Sequence, residues 1–238
     1  MKISVAIPIF NEEGSVGPLV EQLCSVLGKM GVSYEIIFVD DGSTDSSLQR
    51  LYKLSSCQQC VRVVHFEKNR GQTKALEEGL RQAQGEIVIT MDGDLQSDPS
   101  EIPLLFNKMQ EGYDLVCGWR YWREDTTMKK CISRLGNFLQ RAFTGIRIHD
   151  AGCTFRAYTH AAVEGIVFQS KYDHTIVPCI LYKIKKIRLA EVAIHGEKRS
   201  FDKSKYSYIQ QACGVVIAFL RYAFCIASKK WPKTNLFW

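Results

Sequence analysis

Apolar residues recur along the first half of the chain in two alternating rhythms. Short, nearly continuous runs rich in β-branched residues are Ile3 to Phe10, Tyr34 to Val39, Val61 to Phe66, Glu86 to Met91 and Tyr113 to Cys117. Between them lie segments with helical spacing, such as Val16, Leu19, Val20, Leu23, Val26 and Leu27 within residues 15–30. The spacing predicts further helices to about Leu54, to about Ala83 before the break at Gly85, and from Pro99 to about Glu111. Ser43, Thr44 or Asp45 would cap the helix that runs to about Leu54. Strands apolar throughout, alternating with helices of this length, predict βαβ units and a parallel sheet covered on both faces.

Each predicted strand stops at a polar cluster. Asn11-Glu12 follows the first, Asp40-Asp41 the second, Asn69 to Lys74 the third and Asp92-Gly-Asp94-Leu-Gln96 the fourth. Open α/β sheets bind ligands at the carboxyl ends of their strands, so these clusters predict a nucleotide site on one edge. Asp92 and Asp94 stand two residues apart, with the amide of Gln96 two further on. On an extended chain all three would face one side and could offer oxygens to a hard cation such as Mg²⁺ or Mn²⁺. Neither GxGxxG nor GxxxxGK[ST] is present, which excludes the common dinucleotide fingerprint and the P-loop.

The second half is less regular. Residues 129–143 read as a helix, Asp150 to Tyr158 as a turn entering a short strand, residues 173–184 as a helix despite Pro178, and Ile187 to Ile194 as a strand. Lys198 to Ser207 is a basic polar loop. The apolar stretch Ala212–Ala227, sixteen residues interrupted by Arg221, falls short of the roughly 20 that span a bilayer. Its small and polar stripe (Gln211, Gly214, Ala218, Arg221, Cys225, Ser228) and the following Lys229, Lys230 and Lys233 fit a helix lying in a membrane interface. A helix buried against the domain or against a second copy in a homo-oligomer fits equally.

Charge sharpens this division. The net charge of +6 over 238 residues combines −6 in residues 1–120 (11 Lys/Arg, 17 Asp/Glu) with +12 in residues 121–238 (20 and 8). An acidic half suits metal and base recognition, and a basic half suits phosphate or an anionic surface. No nucleic-acid-binding module accompanies the basic residues, so a nucleic-acid partner is not expected. Nine cysteines, an odd number without a regular framework or a secretory signal, read as reduced thiols in a cytosolic setting. Cys57-x-x-Cys60 has no second ligand pair at zinc-finger spacing.

Taken together, Ile7-Pro8-Ile-Phe-Asn11-Glu12, Val39-Asp40-Asp41-Gly42-Ser43-Thr-Asp45, Asn69-Arg-Gly71-Gln and Met91-Asp92-Gly-Asp94-Leu-Gln96 resemble the motifs of inverting glycosyltransferases of GT-A fold. Gly118-Trp-Arg120, Asp150-Ala-Gly152-Cys-Thr-Phe-Arg156-Ala-Tyr158 and Ser204-Lys205-Tyr206-Ser207 narrow the resemblance to the polyprenyl-phosphate glycosyltransferases. Gly93 stands where the wider family usually has alanine, a change without effect on the ligand set. Asp202 stands at a usual glycine. The Gln/Arg-x-x-Arg-Trp motif of processive polymerases is absent, which weighs against extension of a polysaccharide. The intact acidic pair weighs against a non-catalytic nucleotide-sugar-binding module.

The resemblance implies a Rossmann-like α/β sandwich with a mostly parallel sheet. It would form one catalytic domain over residues 1–206, with a nucleotide and metal half (1–118) and an acceptor half (119–206). An amphipathic interfacial helix and basic tail would occupy 207–238. Asp40 or Asp41 would read the nucleobase, with Pro8, Asn11, Glu12, Gly71 and Gly93 shaping the nucleotide-sugar site. Asp92, Asp94 and Gln96 would hold Mg²⁺ or Mn²⁺ against the diphosphate of a UDP- or GDP-sugar. Arg120 and Arg134 would bind the phosphate of undecaprenyl or dolichyl phosphate, and Arg199 with Lys205 would close over the donor. Asp150 is the carboxylate placed by its motif to assist or orient, so that Asp94, Asp150 and Arg120 make up the expected catalytic set. The enzyme would sit peripherally on the cytoplasmic face of the membrane and invert the transferred sugar from α to β.

Overall fold

The structure is a computed structural model and describes residues 1–122, 141, 145–146, 148–195 and 217. The predicted helix over 129–143, the basic loop and the stretch beyond Tyr208 fall almost wholly outside these residues, as does the expected boundary at 206/207.

In chain order the described elements are β1 (Lys2–Ile9), α1 (Val16–Lys29), β2 (Ser33–Asp40), α2 (Ser47–Cys57), β3 (Val61–His65), α3 (Gln72–Gln82), β4 (Ile87–Thr90), a 3₁₀ turn (Pro99–Glu101) leading into α4 (Ile102–Gln110), β5 (Leu115–Trp122), β6 (Arg156–Thr159), α5 (His160–Val163), α6 (Asp173–Lys185) and β7 (Leu189–His195). The seven strands form one sheet in the order β3-β2-β1-β4-β6-β5-β7. β1 pairs in parallel with β2 and β4, and β2 with β3. β6 is inserted antiparallel between β4 and β5, while β5 and β7 are parallel. This is the GT-A arrangement, a mostly parallel mixed sheet.

The near-continuous hydrophobicity of the strands follows from burial on both faces. Ile3, Val5, Ile7 and Ile9 of β1, with Ile36 and Phe38 of β2, meet Leu19 and Leu23 of α1 and Ile102 and Leu105 of α4 on one face. The intervening Ile37 and Val39 of β2 and Val88 of β4 meet Leu76 and Leu80 of α3 and Val177 and Leu181 of α6 on the other. Each fully buried side chain of this size contributes roughly 1.5–3 kcal/mol by leaving water.

At the amino-terminal edge of the strands, Glu35 of β2 is buried and accepts from Ser4 Oγ (2.7 Å) and Arg62 Nη1 (2.8 Å). This network closes the end of the sheet remote from the motif residues. Cys60 lies near Cys24, with Sγ atoms 3.9 Å apart, while Cys57 is exposed. Burial first, then Cys60, pushes the Cys24 thiol up to about 11. The sulfur neighbour of Cys60 therefore comes from α1, outside the CxxC pattern.

Candidate functional site

Parallel pairing of β1, β2, β3 and β4 brings four loops, distant in sequence, to the carboxyl edge of the sheet. The first two are bound to each other. Asn11, in a left-handed conformation (φ 53°), accepts at Oδ1 from the Thr44 N–H (2.7 Å), and its own N–H donates to Ser43 Oγ (2.9 Å). The Glu12 N–H donates to Ser47 Oγ (2.8 Å), and the Glu12 side chain is largely buried against Ser15. Asp45 Oδ1 accepts from the Ser47 N–H (2.9 Å) at the start of α2, so the expected capping group stands one residue before the N-cap Ser46. Pro8 lies at the end of β1, opposite Val39 of β2.

Asp40 and Asp41 are both buried and have different neighbours. Asp40 Oδ2 accepts from the Ser43 N–H (3.2 Å) and lies 2.9 Å from His65 Nδ1 at the end of β3. Asp41 reaches the third loop, where Oδ1 accepts from the Arg70 N–H (2.6 Å) and Oδ2 from the Gly71 N–H (2.9 Å). Burial pushes the Asp41 carboxyl above its ordinary value; those two N–H groups oppose the shift, and Asp40 adds to it. Asp41 thus fixes the backbone that opens α3, at whose N-cap Gly71 stands.

β4 ends at Thr90, and Leu95 adopts φ 61°, so the chain from Asp92 to Gln96 is a loop. The alternation of an extended strand therefore does not extend to these residues. Their placement comes instead from side-chain anchors: Gln72 Nε2 donates to Asp92 Oδ1 (2.7 Å), and the Gln96 N–H donates to Asp94 Oδ1 (3.1 Å). Asp94 is 5% exposed, and Gln96 is half-buried. A Cβ at Gly93 would overlap Ile9 Cδ1 and lie 3.2 Å from the Pro8 carbonyl oxygen. Gly93 is thus matched to Ile9, so the departure from alanine carries a packing role. Among the described residues no group of three or more His, Cys, Asp or Glu clusters to hold a metal. Two carboxylates are what Mg²⁺ takes from a protein when substrate phosphates complete its shell, so this donor set fits such an ion.

Arg120 projects from the end of β5, where the pairing with β7 shifts register between Arg120 and Trp122. Bulges at strand ends re-aim side chains. Arg120 donates through Nε to Asp150 Oδ2 (2.7 Å) and through Nη2 to Asp150 Oδ1 (3.0 Å). Both side chains are mostly buried, at 19% and 5% exposure. Burial alone would lower the arginine pKa, but Asp150 and, farther out, Asp92 hold it above its ordinary value. Arg120 therefore carries a fixed positive charge between the acidic loop after β4 and the Asp150 turn. On the opposite face of β5, Trp119 stacks on His149 (centroids 4.3 Å apart), which in turn contacts Glu191 (2.8 Å). Arg134, Arg199 and Lys205 lie outside the described residues.

Three features of the site were missed by sequence reasoning. The Gln72 anchor lies in a quoted motif without an assigned role, and the Arg120–Asp150 pair joins two motifs 30 residues apart. Arg156 was read as part of a short strand; it is 1% exposed. A cation inside the apolar run Cys153 to Tyr158 was the available signal for it.

The model for Glycosyl transferase family 2 matches residues 4–167. The chain is 33% identical over 235 residues to the dodecaprenyl-phosphate galacturonate synthase of Rhizobium johnstonii, covering 98% of this chain and 69% of that protein. Among solved structures it is similar to glucosyl-3-phosphoglycerate synthase from Mycobacterium tuberculosis. The complex with Mn²⁺, UDP and phosphoglyceric acid superposes with TM-score 0.76 at 19% identity, over 93% of this chain and 78% of that one. The complex with Mg²⁺ and UDP gives 0.72 at 19% identity, over 94% and 79%. At that identity the likeness concerns the fold. With a family match across most of the described sheet and a relative aligned almost end to end, the chain belongs to glycosyl transferase family 2 and is a glycosyltransferase.

Proposed function

We propose that the enzyme moves a sugar from a nucleoside diphosphate sugar onto a polyprenyl phosphate, with inversion. The observation that carries this reading is the Arg120 guanidinium, fixed by Asp150 and electrostatically coupled to Asp92. It places a permanent cation next to the acidic loop, where an anionic acceptor would have to approach the donor. The relative at 33% identity is named for a polyprenyl-phosphate product, which points the same way.

The loops after β1, β2 and β3 would form the nucleotide side, with buried Asp40 and Asp41 shaping the base pocket and Asn11 and Glu12 its wall. Asp92 and Asp94, with Gln96, would hold Mg²⁺ or Mn²⁺, which when bound neutralises charge on the departing nucleoside diphosphate. Solved neighbours of this fold carry those ions with UDP. Arg120 would bind the acceptor phosphate, for which an arginine fork is suited. A phosphate monoester is already anionic near neutral pH, so no proton need be removed before it attacks. Asp150 accepts from Arg120 with both carboxylate oxygens, which suits it to orient that cation. What remains for the protein is to hold the phosphate in line behind the anomeric carbon.

Incubation with membranes containing undecaprenyl or dolichyl phosphate and a panel of labelled UDP- and GDP-sugars, with Mn²⁺ present, tests this. Label should enter the lipid fraction with one donor and depend on Arg120. Label absent from the lipid fraction with every donor would refute the acceptor assignment. Among the described residues no helix is long and apolar enough to cross a membrane. Sedimentation with liposomes of anionic and neutral composition would test the proposed peripheral binding.

A further inference from the structure

Arg156 opens β6 and is buried, yet among the described residues it has no carboxylate partner. Its Nη2 donates to the Ala151 carbonyl oxygen (2.7 Å) and its Nη1 to the His174 carbonyl oxygen (2.8 Å), while Nε makes no hydrogen bond. The first contact closes the Asp150–Arg156 segment on itself, one residue from the carboxylate that holds Arg120. The second ties that segment to the first turn of α6. Further bonds anchor the segment to the sheet: Thr90 Oγ1 donates to the Thr154 carbonyl oxygen (2.6 Å), and the Gly118 N–H to that of Phe155 (2.9 Å).

The connection continues to the donor side. Thr73 Oγ1 lies 2.6 Å from both the Lys171 carbonyl oxygen and His174 Nδ1. The carbonyl can only accept, so the hydroxyl proton goes to it, and the imidazole N–H donates to the hydroxyl. Burial, and after it the Arg156 charge, pushes His174 down to about 4, so the ring is neutral. Thr73 follows Gln72, whose amide holds Asp92. A chain of contacts therefore runs from the acidic loop through α3, His174 and Arg156 to the Asp150 turn.

Burying a guanidinium without a carboxylate is costly, and an apolar side chain of similar volume often does as well or better for stability. Methionine would fill the volume and remove the charge, but it has no N–H for the two carbonyl oxygens, and Pro178 offers none to that of His174 within the helix. We propose that Arg156 is a positioning residue, which by clamping Ala151 to α6 fixes Asp150 and hence the orientation of Arg120 towards the acceptor phosphate. This rests on the acceptor reading given above.

The test compares R156M, R156K and R120K with the parent enzyme, measuring KM for polyprenyl phosphate, kcat, UDP affinity with Mn²⁺ by calorimetry, and Tm. Methionine removes the charge and both hydrogen bonds; lysine keeps the charge and loses the fork that spans two carbonyls. For R156M we expect a Tm below the parent's, because two carbonyl oxygens lose their donor, and a UDP affinity of the folded protein within about twofold. Its KM for polyprenyl phosphate should rise at least about tenfold, because small misplacements of a positioning group are costly in rate. R156K should raise the same KM, and it decides the matter if R156M does not fold. An unchanged acceptor KM in the folded variants overturns the proposal. So does a parallel loss of donor and acceptor affinity that tracks the folded fraction. If R120K also leaves the acceptor KM unchanged, the acceptor reading itself has failed; a large effect of R120K with none of R156M or R156K removes the positioning role alone.

Discussion

Replacing Gly42 with alanine should separate the loops after β2 and β3, and its cost can be built from the structure. Gly42 has φ 72°, a conformation that costs a residue bearing a Cβ roughly 1–2 kcal/mol. The new Cβ would lie 2.7 Å from both the Asn69 nitrogen and the Lys68 carbonyl carbon, which are backbone atoms without a rotamer to yield. Relief requires the 68–69 peptide to retreat by several tenths of an ångström, and the next two residues carry the N–H groups that Asp41 accepts at 2.6 and 2.9 Å. A hydrogen bond to a charged group contributes about 1.5–3 kcal/mol, so weakening one of them brings the total to about 3–5 kcal/mol. For a chain of this length that corresponds to a fall in Tm of roughly 10 °C. Gly31 supplies the control, since its φ is 66° but a Cβ there would meet nothing within 4 Å. G31A should therefore lose only the conformational part, roughly 1–2 kcal/mol. Calorimetric unfolding of the two variants isolates the contact between loops. Equal losses of Tm would refute the claim that Gly42 is the point where they touch.

D150A should remove the partner of a mostly buried Arg120 and destabilise the protein by about 3 kcal/mol. Inorganic phosphate should then raise Tm more in D150A than in the parent, and equal shifts would argue against an anion site at Arg120. D94A should reduce sugar transfer at least about 100-fold, and near-normal transfer in saturating Mn²⁺ would remove Asp94 from the proposed metal site. E35Q tests the opposite edge of the sheet. Burial would raise the Glu35 pKa, but Ser4, Arg62, the Gln84 N–H and Lys2 outweigh it and hold the carboxyl below its ordinary value of 4.5. Its contribution is thus present above pH 4.5 and disappears as pH falls through the folded value. The urea midpoint of E35Q should lie below the parent's at pH 7, and the gap should narrow towards pH 3.

Much of the donor-side architecture could be read from the sequence because its elements are local. β1, β2 and β4 are buried on both faces over most of their length, so each shows as a nearly continuous apolar run, and each run ends where its polar loop begins. What could not be read depends on contacts remote along the chain. β6 has four residues, Arg156-Ala-Tyr-Thr159, too short for a period and headed by a charge, so its antiparallel insertion between β4 and β5 left no signature. Gln72 holds Asp92, and Arg120 pairs with Asp150; type and spacing nominated the carboxylates without revealing these partners. The cysteines read as separate reduced thiols, and only the fold shows that Cys24 of α1 lies beside Cys60.

The Arg120–Asp150 bridge has a consequence for how such a chain can vary. Atoms 2.7 Å apart hold the end of β5 and the Asp150 turn at one separation. A neutral residue at 120 would leave the buried Asp150 carboxylate without its cation, and a neutral residue at 150 would strand the guanidinium. The two positions are therefore tied across 30 residues of chain, and change at one is expected to be tolerated only when the other changes with it.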